Sequence, residues 1–427
     1  MPTVAFHTLG CKVNQYDAQA MLELFEQAGY TACPFSEKAD VYVIMTCTVT
    51  GTGDKKSLQA VRRAHRLNPE GNIIIAGCLA QRDGEKLLET TPARLIIGNQ
   101  KRAQVVELLE DAIEKDQRIA CVSDVLRIPF EPLTISAHEG HTRAVLKIQE
   151  GCDRYCTYCI IPFVRGGIRS RLPEEIALEA KRLSRAGFSE LVLTGIHLTS
   201  YGRDLEGNIS LIDGIRACMQ EGIRRIRLGS LEPVIVTEEF VRQLKETPVC
   251  PQFHLALQSG CDEVLQRMRR RYTTREFGSA CALLRSAFPH CAITTDVICG
   301  FPQETEEEFE KTCAFCKEIG FARMHVFPYS ARTGTKAAQM SGQVLKKVRE
   351  ERARRLIAIG NDLSRAYHEN LMGRTVEVLC EEIADGLSTG YTDTYIPCRF
   401  TGGTPGRMGR VRITGITQDG VTGEMEA

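Results

Sequence analysis

The sequence predicts an α/β protein in three parts. These are a parallel α/β sheet domain over residues 1–128, a partial (β/α)6 barrel over 138–368 and a small β-barrel of OB-like type over 371–427. Three observations carry this. Short apolar runs alternate with helical patterns from Val4 to Ile97, which is the signature of a parallel sheet. Six further strand-then-helix steps follow Val145. After Gly373 the helical patterns stop, and five short strands with Gly-rich turns fill the remainder.

In the first part, Val4–Phe6, Val41–Met45, Ile73–Ala76 and Leu95–Ile97 read as strands. Helices are expected from about Tyr16 to Gln27, Thr52 to Arg66, Arg82 to Glu89 and Gln100 to Asp116. Pro129–His141 is polar and Pro-bearing and reads as a linker. Barrel strands are expected at Val145–Ile148, Leu191–Leu193, Ile226–Leu228, Phe253–Ala256, Ala292–Ile298 and Ala322–Val326. The C-terminal strands read as Thr375–Leu379, Leu387–Thr392, Tyr395–Phe400, Arg410–Thr414 and Val421–Met425.

Composition narrows the classes of function. The chain has 427 residues, 43% of them apolar, enough for sizeable cores. No apolar run is long enough to span a membrane, and the N-terminus MPTVAFHTLGCK lacks a secretory pattern, so a cytoplasmic protein is expected. Eighteen cysteines in such a chain argue for metal or catalytic use over disulfides. The 54 basic and 54 acidic residues cancel, which leaves nucleic-acid binding to local patches. With no Trp, base stacking would fall to Tyr, Phe, His or Arg.

The densest chemistry lies in GCDRYCTYCIIPFVRGGIRSR, where Cys152, Cys156 and Cys159 follow a C-x3-C-x2-C spacing. Three thiolates this close can hold three corners of an iron–sulfur cube and leave the fourth iron open. A structural zinc site would want a fourth ligand, usually in two spaced pairs. The nearest candidates, His138 and His141, precede a predicted strand. With Tyr158 before the last cysteine, the run resembles the radical S-adenosylmethionine (SAM) enzymes. The resemblance implies that SAM binds the open iron through its amino and carboxylate groups, and that an electron from the cluster cleaves it to a 5′-deoxyadenosyl radical. Chemistry in α/β barrels sits at the C-terminal strand ends, where these cysteines fall. Gly195, Ser230, Glu232 and Gln258 lie at other strand ends and are candidate SAM contacts, Gly195 by baring its backbone to the methionine amine. Ordinary loop polar residues are the alternative for each. Arg165, Arg169 and Arg171 close the motif and either meet ligand charge or are solvated or helix-capping arginines. Cys313 and Cys316 are one helical turn apart and read as core, as do Cys33 and Cys121.

Cys11, Cys47 and Cys78 each fall just beyond a predicted strand end, where open parallel sheets bind ligands. Position alone leaves two readings: small core residues, or a second cluster site with one open iron. The runs LGCKVNQYDAQ, TCTVT and AGCLAQ resemble the N-terminal domain of the methylthiotransferases, and the resemblance implies an auxiliary cluster on those three cysteines. Met45 stands where relatives commonly have Asn, and Gln303 where they often have Gly. Asn14 reads as a satisfied loop residue. TGIHLTSYG, LGSLEP and HLALQSGCDEVLQRMRRRYT resemble the branch acting on threonylcarbamoyladenosine. The C-terminal part resembles the TRAM domain, an RNA-binding module. There Arg399, Arg407, Arg410 and Arg412 stand in an acid-free stretch from Pro397 to Gln418 and could track phosphates. Arg267–Arg271 is a dense cationic run, and Lys346–Arg355 a charged helix that reads as a solvated face.

The resemblance therefore implies a tRNA methylthiotransferase that places a methylthio group on carbon 2 of threonylcarbamoyladenosine 37. It would use two 4Fe-4S clusters and SAM, with no catalytic side chains beyond the cluster ligands. The implied partners are the tRNA anticodon loop and an electron donor protein, with a monomeric chain and no membrane. Two alternatives share the chemistry, on isopentenyl-adenosine or on a ribosomal-protein aspartate. A third, of another class, is a non-catalytic iron–sulfur RNA-binding protein.

Overall fold

The computed structural model describes residues 1–125, 128–138 and 140–426. The chain opens with β1 (Thr3–Thr8), α1 (Lys12–Gln27), β2 (Thr31–Ala32), β3 (Val41–Thr46), α2 (Gly51–Leu67), β4 (Asn72–Gly77), α3 (Cys78–Thr90), β5 (Leu95–Ile97), α4 (Val105–Glu114) and β6 (Ile119–Cys121). The six strands form one parallel sheet in the order β2-β1-β3-β4-β5-β6. Every residue of β3 is buried, as in a sheet covered on both faces. Helices α1 and α3 begin four residues earlier than their apolar periodicity indicates, because their first turns are polar or carry cysteine.

Helix α1 is buried on two sides. Ala18, Met21 and Phe25 join one sheet core, while Tyr16 and Ala20 join the core of the next part of the chain. That double burial explains why Asn14 and Asp17 are also enclosed.

The second part is built from β7 (Ala144–Lys147), β8 (Gln149–Glu150), α5 (Ile161–Arg165), β9 (Arg169–Ser170), α6 (Pro173–Arg185), β10 (Glu190–Thr194), α7 (Leu211–Ala217), β11 (Arg225–Leu228), α8 (Glu238–Leu244), β12 (Gln252–His254), α9 (Asp262–Arg267), α10 (Thr274–Ala287), β13 (Ala292–Cys299), α11 (Glu306–Ile319), β14 (Arg323–Pro328), α12 (Lys336–Gln339) and α13 (Lys346–Glu369). β7, β10 and β11 form one parallel sheet and β12, β13 and β14 another. Parallel bridges Ile226–Val249 and Leu231–Leu255 join them into a six-stranded arc. β8 and β9 form a short antiparallel pair that brackets the C-x3-C-x2-C loop.

The segment read as a linker is strapped to the barrel: Leu133 and Ile135 are buried in its core, and Glu131 pairs with Arg102. Glu139 within it lies outside the described residues. Helix α13 runs well past Arg355, and its charged stretch is not wholly a solvated face. Arg352 is buried and pairs with Glu304 and Glu306. Cys313 and Cys316 are both in the barrel core, whereas Cys33 and Cys121 are half-buried at the edges of the two cores flanking the N-terminal sheet.

The last part is a closed barrel, β15 (Thr375–Ala384), β16 (Leu387–Thr392), β17 (Pro397–Thr401), β18 (Met408–Ile416) and β19 (Val421–Met425), in the order β15-β16-β17-β19-β18. It docks where the large barrel's strands begin. Arg224 and Arg225 pair with Glu377, Arg143 pairs with Glu381, and Arg227 donates to the carbonyls of Thr392 and Asp393. The N-terminal part packs α1 along β7 and ties Asp54 to Arg332, beyond β14. Among the described residues no helix is long and apolar enough to cross a membrane.

Candidate active site

Two cysteine triads face each other across the junction of the first two parts. Cys152, Cys156 and Cys159 sit on the loop between β8 and α5. Gly151 begins this loop at φ +71°, and a Cβ there would lie 1.7 Å from the carbonyl oxygen of Gly167, so only glycine permits the turn. Cys11 caps α1, Cys47 follows β3, and Cys78 opens α3. Gly10, at φ +104°, lets Cys47 come so close that a Cβ would meet the Cys47 Cβ at 2.9 Å.

All six are free thiols. Burial pushes the thiols of Cys47 and Cys152 up to about 11 and that of Cys159 up to about 12. The metal-free chain therefore keeps these protons, and a bound metal must displace them. Three His, Cys, Asp or Glu ligand atoms lie within 4.8 Å of one another at His254, Asp296 and His325, but at neither cysteine triad among the described residues. The donor set, three sulfurs per site with no fourth protein ligand, fits iron–sulfur clusters that keep one iron open.

Beside the first triad lies a cavity lined by Cys152, Cys156, Cys159, Tyr158, His197, Ser230, Glu232 and Arg270, among others. Of the four sequence-predicted SAM contacts, Ser230 and Glu232 line it, while Gly195 and Gln258 do not. The space a Cβ would need at Gly195 is taken by the side chain of Gln149, 2.8 Å away. Gln258 is buried with φ +68°, and its backbone bonds to Asp296 and Ile298.

Glu232 is already surrounded by cations: Arg154 Nε at 2.9 Å, Arg270 Nη2 at 2.8 Å and His197 Nε2 at 3.1 Å. Burial works to raise its carboxyl, but the His197 hydrogen bond and the Arg270, His197 and Arg154 charges outweigh it and hold it at about 2. Arg270 also donates to Cys156 Sγ at 3.3 Å. Arg154 Nε, Arg270 Nη2 and Glu232 Oε2 are buried without an aligned hydrogen bond. These charges meet one another as ion pairs, so groups of both signs stand together at the cavity wall, which fits a zwitterionic ligand such as SAM.

Between the triads lies a buried ion network that the sequence did not disclose. Arg165 is fully buried and donates from Nε to Cys78 Sγ at 3.2 Å, from Nη1 to Glu150 and from Nη2 to Asn14. Asn14 Nδ2 in turn donates to the carbonyls of Leu9 and Thr46, at 2.7 and 2.9 Å, beside Cys11 and Cys47. Asp17 pairs with Arg102 and Lys147, and Glu150 with Lys147 at 3.3 Å and Arg102 at 3.5 Å. Burial would raise the Glu150 carboxyl, but Arg165, Lys147 and Arg102 hold it well below the usual range. Arg171 is likewise buried, on Glu179 and Tyr16. The motif arginines are therefore neither solvated nor capping, and Asn14 is a buried support on α1.

The cationic run Arg267–Arg271 is not a continuous surface patch. Arg270 serves Glu232 and Cys156, and Arg267 pairs with Glu308 at 2.6 Å. Inward-facing polar residues on alternate barrel positions were also missed, including His254 (its Nδ1 3.0 Å from Thr294 Oγ1), Asp296 and His325. The period-two polar pattern on otherwise apolar strands was the available signal.

Residues 3–98 match the model described as "Uncharacterized protein family UPF0004", and residues 146–316 match the Radical SAM superfamily. The threonylcarbamoyladenosine tRNA methylthiotransferase MtaB of Bacillus subtilis is 43% identical over 96% of this chain and 93% of its own. The protein of the same description from Aquifex aeolicus is 37% identical over 91% and 95%. A tRNA-2-methylthio-N(6)-dimethylallyladenosine synthase of Parafrankia is 36% identical over 88% and 77%. Among solved structures, the radical SAM methyltransferase TsrM of Kitasatospora setae superposes with a TM-score of 0.57 at 11% identity, covering 79% of this chain and 74% of that one. This likeness speaks for the fold alone.

Two predictions follow from the charges. Arg165→Met takes one of three cations from Glu150 and the partner of Asn14 Oδ1, and should cost about 3–5 kcal/mol of stability, because one member of a buried set is removed. Denaturant unfolding of the metal-free chain checks it, and iron and sulfide content should fall on reconstitution. Glu232→Gln should lower stability at pH 7 by about 3–4 kcal/mol, from a carboxyl held near 2 against an ordinary 4.5. The folded value lies below the unfolded one, so this stability is full above about 4.5 and lost as pH falls toward 2. The gap between wild type and variant should close over that window.

Proposed function

The chain belongs to the MtaB-type tRNA methylthiotransferases, and from that premise we propose that it places a methylthio group on carbon 2 of threonylcarbamoyladenosine, next to the tRNA anticodon. The observation that carries the reading is the pair of cysteine triads joined through Arg165. A purine C2–H bond has no acid–base route to substitution, so the reaction needs a radical source and a sulfur source within reach of one base. Clusters held by Cys152, Cys156 and Cys159 and by Cys11, Cys47 and Cys78 supply, when bound, the electron that opens SAM and the sulfur that is transferred. The chain's own groups do the rest. Arg154, His197 and Glu232 are the candidate holders of SAM, with Ser230 at the cavity wall. Arg270 and Arg165 place positive charge against one sulfur of each triad.

A further feature supports a substrate that carries a carboxylate, as a threonylcarbamoyl group does and an isopentenyl group does not. Lys12, next to Cys11, turns its Nζ over the Tyr395 ring at 5.9 Å and forms no salt bridge among the described residues. Arg143 and Arg227 face the same ring at 5.0 and 4.5 Å. Arg143 and Arg227 are already paired, with Glu381 and Glu190, so Lys12 is the one of the three left to meet an anionic adenosine substituent. A tRNA substrate supports a cytoplasmic location, and we read the chain as a monomer served by a separate electron donor protein. The small C-terminal barrel acts as a TRAM-type module.

The expected outcomes separate the parts. Cys152→Ala should abolish 5′-deoxyadenosine release from reduced protein and SAM, while Cys47→Ala should keep it and lose thiolation. Thiolation retained in Cys47→Ala would remove the auxiliary site from the reaction. If the reconstituted protein releases no 5′-deoxyadenosine with or without tRNA, the non-catalytic reading stands instead. Mass spectrometry of tRNA nucleosides from a deletion strain should show loss of methylthio-threonylcarbamoyladenosine with the isopentenyl product unchanged. Lys12→Gln should raise KM for threonylcarbamoyl-bearing tRNA about tenfold, as expected for losing one charged contact.

A further inference from the structure

The strongest positive surface among the described residues is not on the C-terminal barrel. Arg399, Arg407, Arg410 and Arg412 are exposed there, but acids on neighbouring strands meet Arg410 and Arg412. Arg410 pairs with Glu426 at 3.5 Å and stands opposite Glu377, and Arg412 stands opposite Glu424. The acid-free stretch in the sequence is thus not acid-free in space.

Helix α2 differs. Its residues Lys55 to Leu67, KKSLQAVRRAHRL, contain no acid. Ser57, Ala60, Val61 and Ala64 are buried against the sheet. That turns Lys55, Lys56, Arg62, Arg63, His65 and Arg66 outward, all of them exposed and none in a salt bridge among the described residues. Arg62 and Arg66, and likewise Lys56, Arg63 and Arg66, recur at helical spacing along one side. They border an open trough of about 640 Å³ in which His7 and Phe35 also lie and no carboxylate does. The His7 and Phe35 rings are 4.9 Å apart, and Arg63 lies over Phe35 at 5.9 Å.

The trough is joined to the chemistry by its own helix. The N-cap Thr50 is three residues past Cys47, and a Cβ at Gly53 would lie 3.1 Å from the Cys47 carbonyl oxygen. Asp54 in the first turn is tied to Arg82 at 3.0 Å and to Arg332, beyond β14, at 2.6 Å. From that anchor the 17-residue helix runs roughly 26 Å, about four phosphate spacings of a nucleic acid strand.

We propose that the exposed face of α2, with the His7–Phe35 trough beside it, is the surface on which the tRNA backbone rests while the modified base reaches the two triads. This rests on the tRNA-modifying function above and adds where the substrate docks. RNA is favoured over an acidic protein because unpaired cations in a row beside an aromatic pair match a strand of phosphates and bases. An electron donor has to serve the other triad, on the barrel.

The test is binding of an anticodon stem-loop RNA to the reconstituted holoprotein across a salt series. Lys56→Gln, Arg62→Gln, Arg63→Gln and Arg66→Gln together should weaken binding 10- to 100-fold near 0.1 M salt and shrink the slope of log K against log salt by about 3. Melting temperature and iron content should stay at wild-type values, since all four side chains are exposed. Arg62→Lys, Arg63→Lys and Arg66→Lys together should keep the slope, because phosphate reads charge. Arg410→Gln with Arg412→Gln should change it by less than 1. An unchanged slope and affinity in the fourfold variant would overturn the proposal. So would a defect confined to reduction by the donor protein, which would give the face to that partner. If wild-type protein itself binds no stem-loop, the proposed function falls, not the placement alone.

Discussion

The buried exchange of charge among Asp17, Glu150, Arg102, Lys147 and Arg165 is the interaction on which the rest of the molecule depends. Glu150 is the last residue before the Gly151 turn, so its fixed position sets where the first triad starts. Asp17 lies on the helix capped by Cys11, two turns in. Ion pairs so deep are poor sources of net stability, since desolvation offsets most of their attraction. Their value here is geometric. Each carboxylate has at least two cationic partners, so the charges are satisfied in one relative placement of the two parts.

Packing reinforces that placement. Tyr16 reaches from α1 to the Leu133 carbonyl and Glu179, both at 2.8 Å, and so seats an N-terminal helix in the barrel core. Arg332 clasps the other side through Asp54 and the Thr48 hydroxyl. The N-terminal part is thus held near both edge strands of an arc that does not close on itself. The first triad lines a cavity of the barrel, and the second sits on the part packed against it, where Cys78 meets Ile160 and Val164.

Much of this was legible from local pattern. A thiol after a short apolar run marks a strand end, and the C-x3-C-x2-C spacing marked the first triad, whereas for Cys11, Cys47 and Cys78 position left two readings and the family resemblance chose between them. The alternation of strand and helix located both α/β parts, and turn residues marked the final barrel. What was not legible is contact between distant segments. Nothing around Arg165 signals that its partners are Asn14, Cys78 and Glu150, and the acids opposite Arg410 and Arg412 arrive on another strand. Helix α2 is a different case. Its basic run was present in the sequence, but only the burial of Ser57, Ala60, Val61 and Ala64 shows that all its cations point one way.

The Asp17–Glu150 network also has a bearing on inheritance. Its members come from four separate stretches of chain, around residues 14–17, 102, 147–150 and 165. A hybrid that took its N-terminal part from one relative and its barrel from another would split the set, and would have to match charge and side-chain length at every member. The two parts look separable along the chain, but they are constrained to descend together.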